Sequence, residues 1–76
     1  MRIYRWRSRI GNFYIRPSGR YWAAMFEDEP LGEYRSPQGA LDDLAGGHAD
    51  WPSGGVDPST LGMPDEIGDW DVIESR

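Results

Sequence analysis

Residues 19–46, GRYWAAMFEDEPLGEYRSPQGALDDLAG, leave the chain few choices. Tyr21–Phe26 is an unbroken apolar run, rich in aromatics and too short for a helix with its own core face. Such a run between turn residues reads as a strand buried on at least one side. Alternation divides it into Tyr21, Ala23 and Met25 on one face and Trp22, Ala24 and Phe26 on the other. Glu27, Asp28, Glu29 and Pro30 then interrupt it. Proline lacks an amide donor and acids are rare inside sheets, so these four residues read as a hairpin connection. Residues 31–35 return antiparallel. Gly32 within them predicts a bulge or the close approach of a large ring.

Ser36 opens a helix. Its hydroxyl is suited to accept from an orphan amide of the first turn, and Pro37 has the fixed φ that a first helical position needs. Ala40, Leu41, Leu44 and Ala45 fall on one helical face, with Asp42 and Asp43 expected toward water. Gly46 and Gly47 supply the stop. A helix of about ten residues is not stable alone, so it must lean on the sheet.

Upstream, residues 2–10 alternate: Tyr4, Trp6, Ser8 and Ile10 on one face, Arg5, Arg7 and Arg9 on the other. Period-two alternation of aromatics against charges is the pattern of a half-exposed strand. Gly11 and Asn12 predict a tight turn. Residues 12–16 then set Phe13 and Ile15 against Tyr14 and Arg16, before a second turn at Pro17, Ser18 and Gly19.

Downstream, residues 46–68 are dense in Gly, Pro, Ser and Asp. Asp57 with Pro58 and Met63 with Pro64 each mark a potential first helical turn. Leu61, Met63 and Ile67 are placed to anchor them. Residues 69–73 alternate weakly, either as an edge strand or as a segment packed across the sheet. Trp51, Trp70, Val72 and Ile73 argue against disorder. The last two or three residues are expected to fray.

The expected fold class is therefore α+β. A three- to four-stranded antiparallel meander (residues 1–35) packs on one short helix (36–46), and an ordered, irregular C-terminal segment (47–76) wraps the two as a single small domain. The expected core holds Tyr4 or Trp6, Phe13 or Ile15, Trp22, Tyr34, Leu41, Leu44 and Trp70. Four Trp, four Tyr and two Phe supply it, with no cysteine to add a disulfide.

Charge is unevenly placed. Residues 1–20 carry six arginines and no acid, whereas all thirteen acids lie beyond, against Arg35 and Arg76, for a net charge of −5. Such asymmetry marks either an interaction surface or a chain that neutralises itself on folding. Three guanidinium groups at Arg5, Arg7 and Arg9 would repeat about every 7 Å, a spacing that can track phosphates, with Arg16 and Arg20 as extensions. The plainer reading is that they pair with the acidic half or keep the outer sheet face wet. In the opposite sense, Asp42, Asp43, Asp50, Asp57, Asp65, Glu66, Asp69, Asp71 and Glu74 offer a negative surface to a basic partner, against the plainer role of solubility.

Other chemistry finds little support. His48 is the single histidine, and with Asp50 and Ser53 it names the residue types of a catalytic triad. Neighbours in one loop rarely hold that geometry, so it reads as a polar loop after a helix. One histidine and scattered carboxylates do not make a transition-metal set. The glycine pairs lack the lysine of a phosphate loop. No enzyme activity, cofactor or metal is expected. No apolar run approaches the roughly 18 residues of a membrane span, and no leader-like pattern is present, so a soluble cytoplasmic protein without membrane contact is expected. Edge strands and exposed aromatics are compatible with a homodimer.

Arg20-Tyr21-Trp22-Ala23, Leu31-Gly32-Glu33-Tyr34, Ser36 and Ala40 together resemble the hairpin-then-helix domains of the AP2 type and, more loosely, integrase arm-binding domains. Those families pack a three-stranded sheet on one helix and contact DNA through the outer face. The resemblance covers about a third of the chain and implies Arg5, Arg7, Arg9 and Arg16 as counterparts of their contacts. The stretch is also similar to small bacterial and phage proteins that combine W…LGxYxSxxxA with a Trp-containing tail, which implies a shared fold and no particular activity. Small stand-alone proteins of this kind, anti-CRISPRs among them, act by occupying a surface. The functional expectation is a non-catalytic protein-interaction module, an inhibitor of a larger bacterial or phage assembly, with Arg5, Arg7, Arg9, Arg16, Arg20, Asp42 and Asp43 as contacts. Nucleic-acid binding through the arginine face is the alternative.

Overall fold

Period-two alternation produces strands wherever the sequence carries it, and one more than expected. The computed structural model describes residues 2–52 and 54–74. It has the α+β architecture, with β1 (Arg2–Ser8), β2 (Gly11–Ser18), β3 (Tyr21–Phe26), β4 (Glu29–Tyr34), α1 (Pro37–Gly46) and β5 (Asp71–Glu74). All strands are antiparallel and their order is β4-β3-β2-β1-β5. The sheet therefore has five strands, not three or four. Residues 71–74 complete it by pairing with β1, which the weak alternation of the tail left open.

The turns lie one or two residues from where their glycines suggested. The first hairpin pairs Ser8 with Gly11, so Arg9 and Ile10 form the turn and Gly11 and Asn12 begin β2. The Ser8 hydroxyl donates to the Gly11 carbonyl at 2.6 Å and accepts from the Ile10 amide at 3.2 Å, closing the loop with a side chain. The second turn is Gly19 and Arg20, not Pro17 to Gly19. Pro17 is tolerated in β2 because the β1–β2 ladder begins at Ile15, where no partner asks for the missing amide. The third turn is only Glu27 and Asp28; Glu29 and Pro30 already belong to β4, an edge strand where proline fits. A bulge falls between the Ala24–Gly32 and Met25–Pro30 pairs, leaving Leu31 unpaired and pointing into the core. Gly32 also meets its expected ring: a Cβ there would sit 2.9 Å from the Tyr34 hydroxyl oxygen.

One side of the sheet carries the core. Across β1, β2 and β3, Trp6, Phe13 and Phe26 stand side by side, with ring centroids 6.1 and 5.0 Å apart, and Trp70 extends the row at 6.4 Å from Trp6. The α1 helix lays Ala40, Leu41 and Leu44 on this layer, all fully buried. Ser36 accepts from the Gly39 amide at 3.0 Å, and Gly47 ends the helix in the left-handed region at φ 76°. The expected core residues are found here, both Phe13 and Ile15 being fully buried, with Tyr4, Trp6, Trp22 and Tyr34 packed at its margin.

The C-terminal segment closes the layer. Asp57 caps a 3-10 turn at Pro58–Thr60 by accepting from the Ser59 amide at 2.9 Å, as its proline suggested. No helix starts at Pro64; the second 3-10 turn is Ile67–Asp69. Gln38 on α1 ties this stretch down. Its amide group donates to the Asp65 carbonyl and to Asp42, both at 2.9 Å, while its oxygen accepts from the Ile67 amide at 3.0 Å. Leu61 and Trp70 are buried, and Met63 and Ile67 pack against the core. The expected fraying concerns Ser75 and Arg76, which lie outside the described residues.

Candidate interaction surface

The expected arginine stripe does not form. Arg5 and Arg7 do project from β1 away from the core, but Arg9 sits in the turn and Arg20 in the turn at the far end of β2, about 25 Å away by strand rise. Arg5 is committed elsewhere. Its side chain is 25 % exposed, its Nη2 lies 3.6 Å from Asp71 Oδ2 on the neighbouring strand, and its Nε is buried with no hydrogen-bond partner among the described residues. The fifth strand thus brings an acid of the C-terminal half to Arg5, the internal pairing of the plainer reading. Arg2 pairs similarly with Glu74, at 3.8 Å and in solvent. Arg7, Arg9, Arg16 and Arg20 make no ion pair among the described residues, and all four are exposed.

The two aspartates of α1 also part ways. Asp42 is exposed as expected, held by Gln38. Asp43 does not simply point to water: it is half-buried, near the Tyr34 phenol. Burial first, then the hydrogen-bonding influence and charge of the Asp43 carboxylate and the charge of Asp50, push the Tyr34 phenol up to about 12. The Asp43 carbonyl also accepts from the amides of His48 and Ala49, at 2.8 and 3.3 Å. Asp43 is therefore a structural residue of the helix end.

The feature that alternation left unassigned is the opposite face of the sheet. Among the described residues no helix or loop covers it. Its central row runs Asp71–Arg5–Tyr14–Met25–Pro30 through all five strands. The next row places Arg16 beside Ala23 and Ala23 beside Glu33. Ala23 and Met25 are only 7 % exposed although no described helix or loop lies over them; longer side chains such as Tyr14, Arg16 and Glu33 border the same floor. Two shallow depressions result. One, of about 400 Å³, involves Ile3, Tyr14, Ile73 and the Glu27–Asp28 turn; the other, of about 600 Å³, involves Ala23, Pro30, Asp28, Glu33 and Asp50. Arg16 and Met25 border both. Charge of both signs lies on the face: arginines on β1 and β2, and acids on β4, its preceding turn and Asp50, with Asp71 of β5 beside Arg5. Tyr14, Ala23, Met25 and Glu33 are the residues sequence reasoning passed over. Their alternation was visible, but nothing local said which face would stay bare.

The His48 loop offers no assembled chemistry among the described residues. His48 is exposed, its ring makes no hydrogen bond to a described side chain, and Asp50 uses its amide to reach the Leu31 carbonyl at 3.1 Å. Ser53 lies outside the described residues. Trp51 is largely exposed and donates its Nε1 proton to the Gly47 carbonyl at 3.0 Å. No group of three or more His, Asp or Glu among the described residues is arranged to hold a metal ion. No helix among them is long and apolar enough to cross a membrane. No protein-family model, curated protein or solved structure matches the chain.

Proposed function

We propose that this chain is a non-catalytic protein-interaction module, an inhibitor that acts on a larger bacterial or phage assembly by occupying one of its surfaces. The observation that carries the proposal is the bare sheet face, an apolar floor walled by charges of both signs. Such a face combines desolvated area with polar groups that select orientation. Its centre is Met25 and Tyr14; Arg7, Arg16 and Glu33 form the rim. The test is affinity capture from the source cell with the native chain, with Met25→Glu, and with Asp42→Asn/Asp43→Asn. Because Met25 is only 7 % exposed, loss of the captured protein with a Met25→Glu chain whose thermal unfolding matches the native one, and its retention with the helix variant, supports the bare face. The reverse pattern moves the contact to the acidic helix side.

Nucleic-acid binding is the second reading, supported by Arg7, Arg9, Arg16 and Arg20, which make no ion pair among the described residues. Glu27, Asp28, Glu33 and Asp50 share the region with Arg16 and repel phosphate. Duplex and single-stranded probes at low salt test this reading, with binding expected to fall steeply as salt rises. An unshifted probe ends it.

A further inference from the structure

We propose that the bare sheet face pairs with a second copy of itself, Arg16 of each chain entering the acid-walled depression of the other. This rests on the reading of that face as the contact surface and names what covers it. Ala23 is flanked in one row by Arg16 on β2 and Glu33 on β4. The two charges stand one strand to either side of a small residue, and within one chain they form no ion pair among the described residues. A twofold axis lying along β3, in the plane between two stacked sheets, exchanges β2 with β4. It sets Arg16 over Glu33 of the second copy, Tyr14 over Pro30, and Ala23 over itself.

Sheets stack about 10 Å apart, a gap that an arginine and a glutamate reaching toward each other can span. Each guanidinium then meets Glu33, with Asp28 and Asp50 bordering the same depression. Isologous pairing of this sort requires one patch to carry both halves of its own complement. The Arg16–Ala23–Glu33 row, with opposite charges on either side of a small residue, meets that requirement. A uniformly basic or acidic face would not. The overlap is three strands wide, about 300 Å² in projection from strand spacing and rise, so the pair is weaker than a standard interface and exchanges readily. A partner with the same two-sign pattern would displace the second copy.

Sedimentation velocity of the full chain from about 10 µM to about 1 mM tests the pairing, since weak association appears only in the upper range. The native chain is expected to shift from monomer toward dimer. Arg16→Glu and Glu33→Arg should each weaken association tenfold or more, because each sets like charges face to face. Arg16→Glu combined with Glu33→Arg should restore it to within a few-fold, an energetic coupling that independent surface effects do not produce. Both positions are exposed, and unchanged thermal unfolding of the single variants would confirm intact folding. A native chain that stays monomeric at the highest concentration overturns the proposal, as does a dimer indifferent to both single changes. If the chain is monomeric yet Met25→Glu abolishes capture of a foreign partner, self-pairing falls and the contact reading stands. If the swap behaves as expected while capture ignores Met25→Glu, the pairing stands and the foreign contact lies elsewhere.

Discussion

Two adjoining rows of side chains run across the same five strands and meet opposite fates. Val72–Tyr4–Ile15–Ala24–Gly32 lies on the side of α1 and the C-terminal segment; one residue away, Asp71–Arg5–Tyr14–Met25–Pro30 has no helix or loop over it among the described residues. The backbone is shared and the hydrogen bonds are the same, so what separates the rows is cover. In the first row Ile15 and Ala24 are fully buried and Gly32 makes room for the Tyr34 ring. In the second, Tyr14, Met25 and Pro30 are retained beside a charged end at Asp71 and Arg5. A face meant only for water would replace Met25 and the neighbouring Ile3 and Ile73 by polar residues. The covered row explains why the chain folds, and the bare row is where it has something left to offer.

Neighbouring positions on β2 put this contrast to the test most directly. Ile15→Ala removes a fully buried side chain and should cost about 2–5 kcal/mol, enough to unfold much of so small a protein, as denaturant titration would show. A cost below about 1 kcal/mol would mean that the covered layer is loosely packed and the contrast false. The cover itself depends on α1. Ser36→Ala deletes the bond to the Gly39 amide and should lower stability by about 1 kcal/mol in the same measurement. Tyr34 reports on the cover by pH. Its raised pKa means that the neutral phenol is the form the fold favours. Its contribution is fully present below the ordinary tyrosine value near 10 and is lost as pH rises through about 12. Ultraviolet titration should therefore show one tyrosine ionising late, and Asp43→Asn should move it back toward the ordinary value. The smallest effect belongs to the bare face. Arg16→Ala should change stability by no more than about 0.5 kcal/mol, and a larger loss would show that Arg16 supports the fold instead of reaching outward.

The meander and helix were legible because each is written locally. Alternation separated Phe13 and Ile15 from Tyr14 and Arg16, and Ser36, Pro37 and Gly47 marked the helix ends chemically. Turn positions were less legible because glycine marks a turn only to within a residue or two. In the first hairpin Ser8 closes the loop through its hydroxyl, so Arg9 and Ile10 make the turn and Gly11 enters the strand. That slip moved Arg9 off the strand face. The fifth strand was the costliest uncertainty. Residues 71–74 find their partner some seventy positions earlier, and no local pattern announces a pairing at that separation. With it came Asp71, whose carboxylate lies 3.6 Å from the Arg5 guanidinium. Which face the helix would cover follows from where bulk gathers, on Trp6, Phe13, Trp22 and Phe26. What the opposite face would retain is visible only once the strands are in register.

The two borders of the sheet are unequal. At β4 the missing amide of Pro30, the bulge at Leu31 and the Asp50 amide on the Leu31 carbonyl leave no clean ladder for an added strand. Among the described residues only the β5 margin retains a regular one, and it is four residues long. Head-to-tail polymerisation needs two different free margins that fit each other, and the described residues offer one. Assembly through the described strand borders therefore ends at a closed pair, which guards a small aromatic-rich chain against growing into fibres.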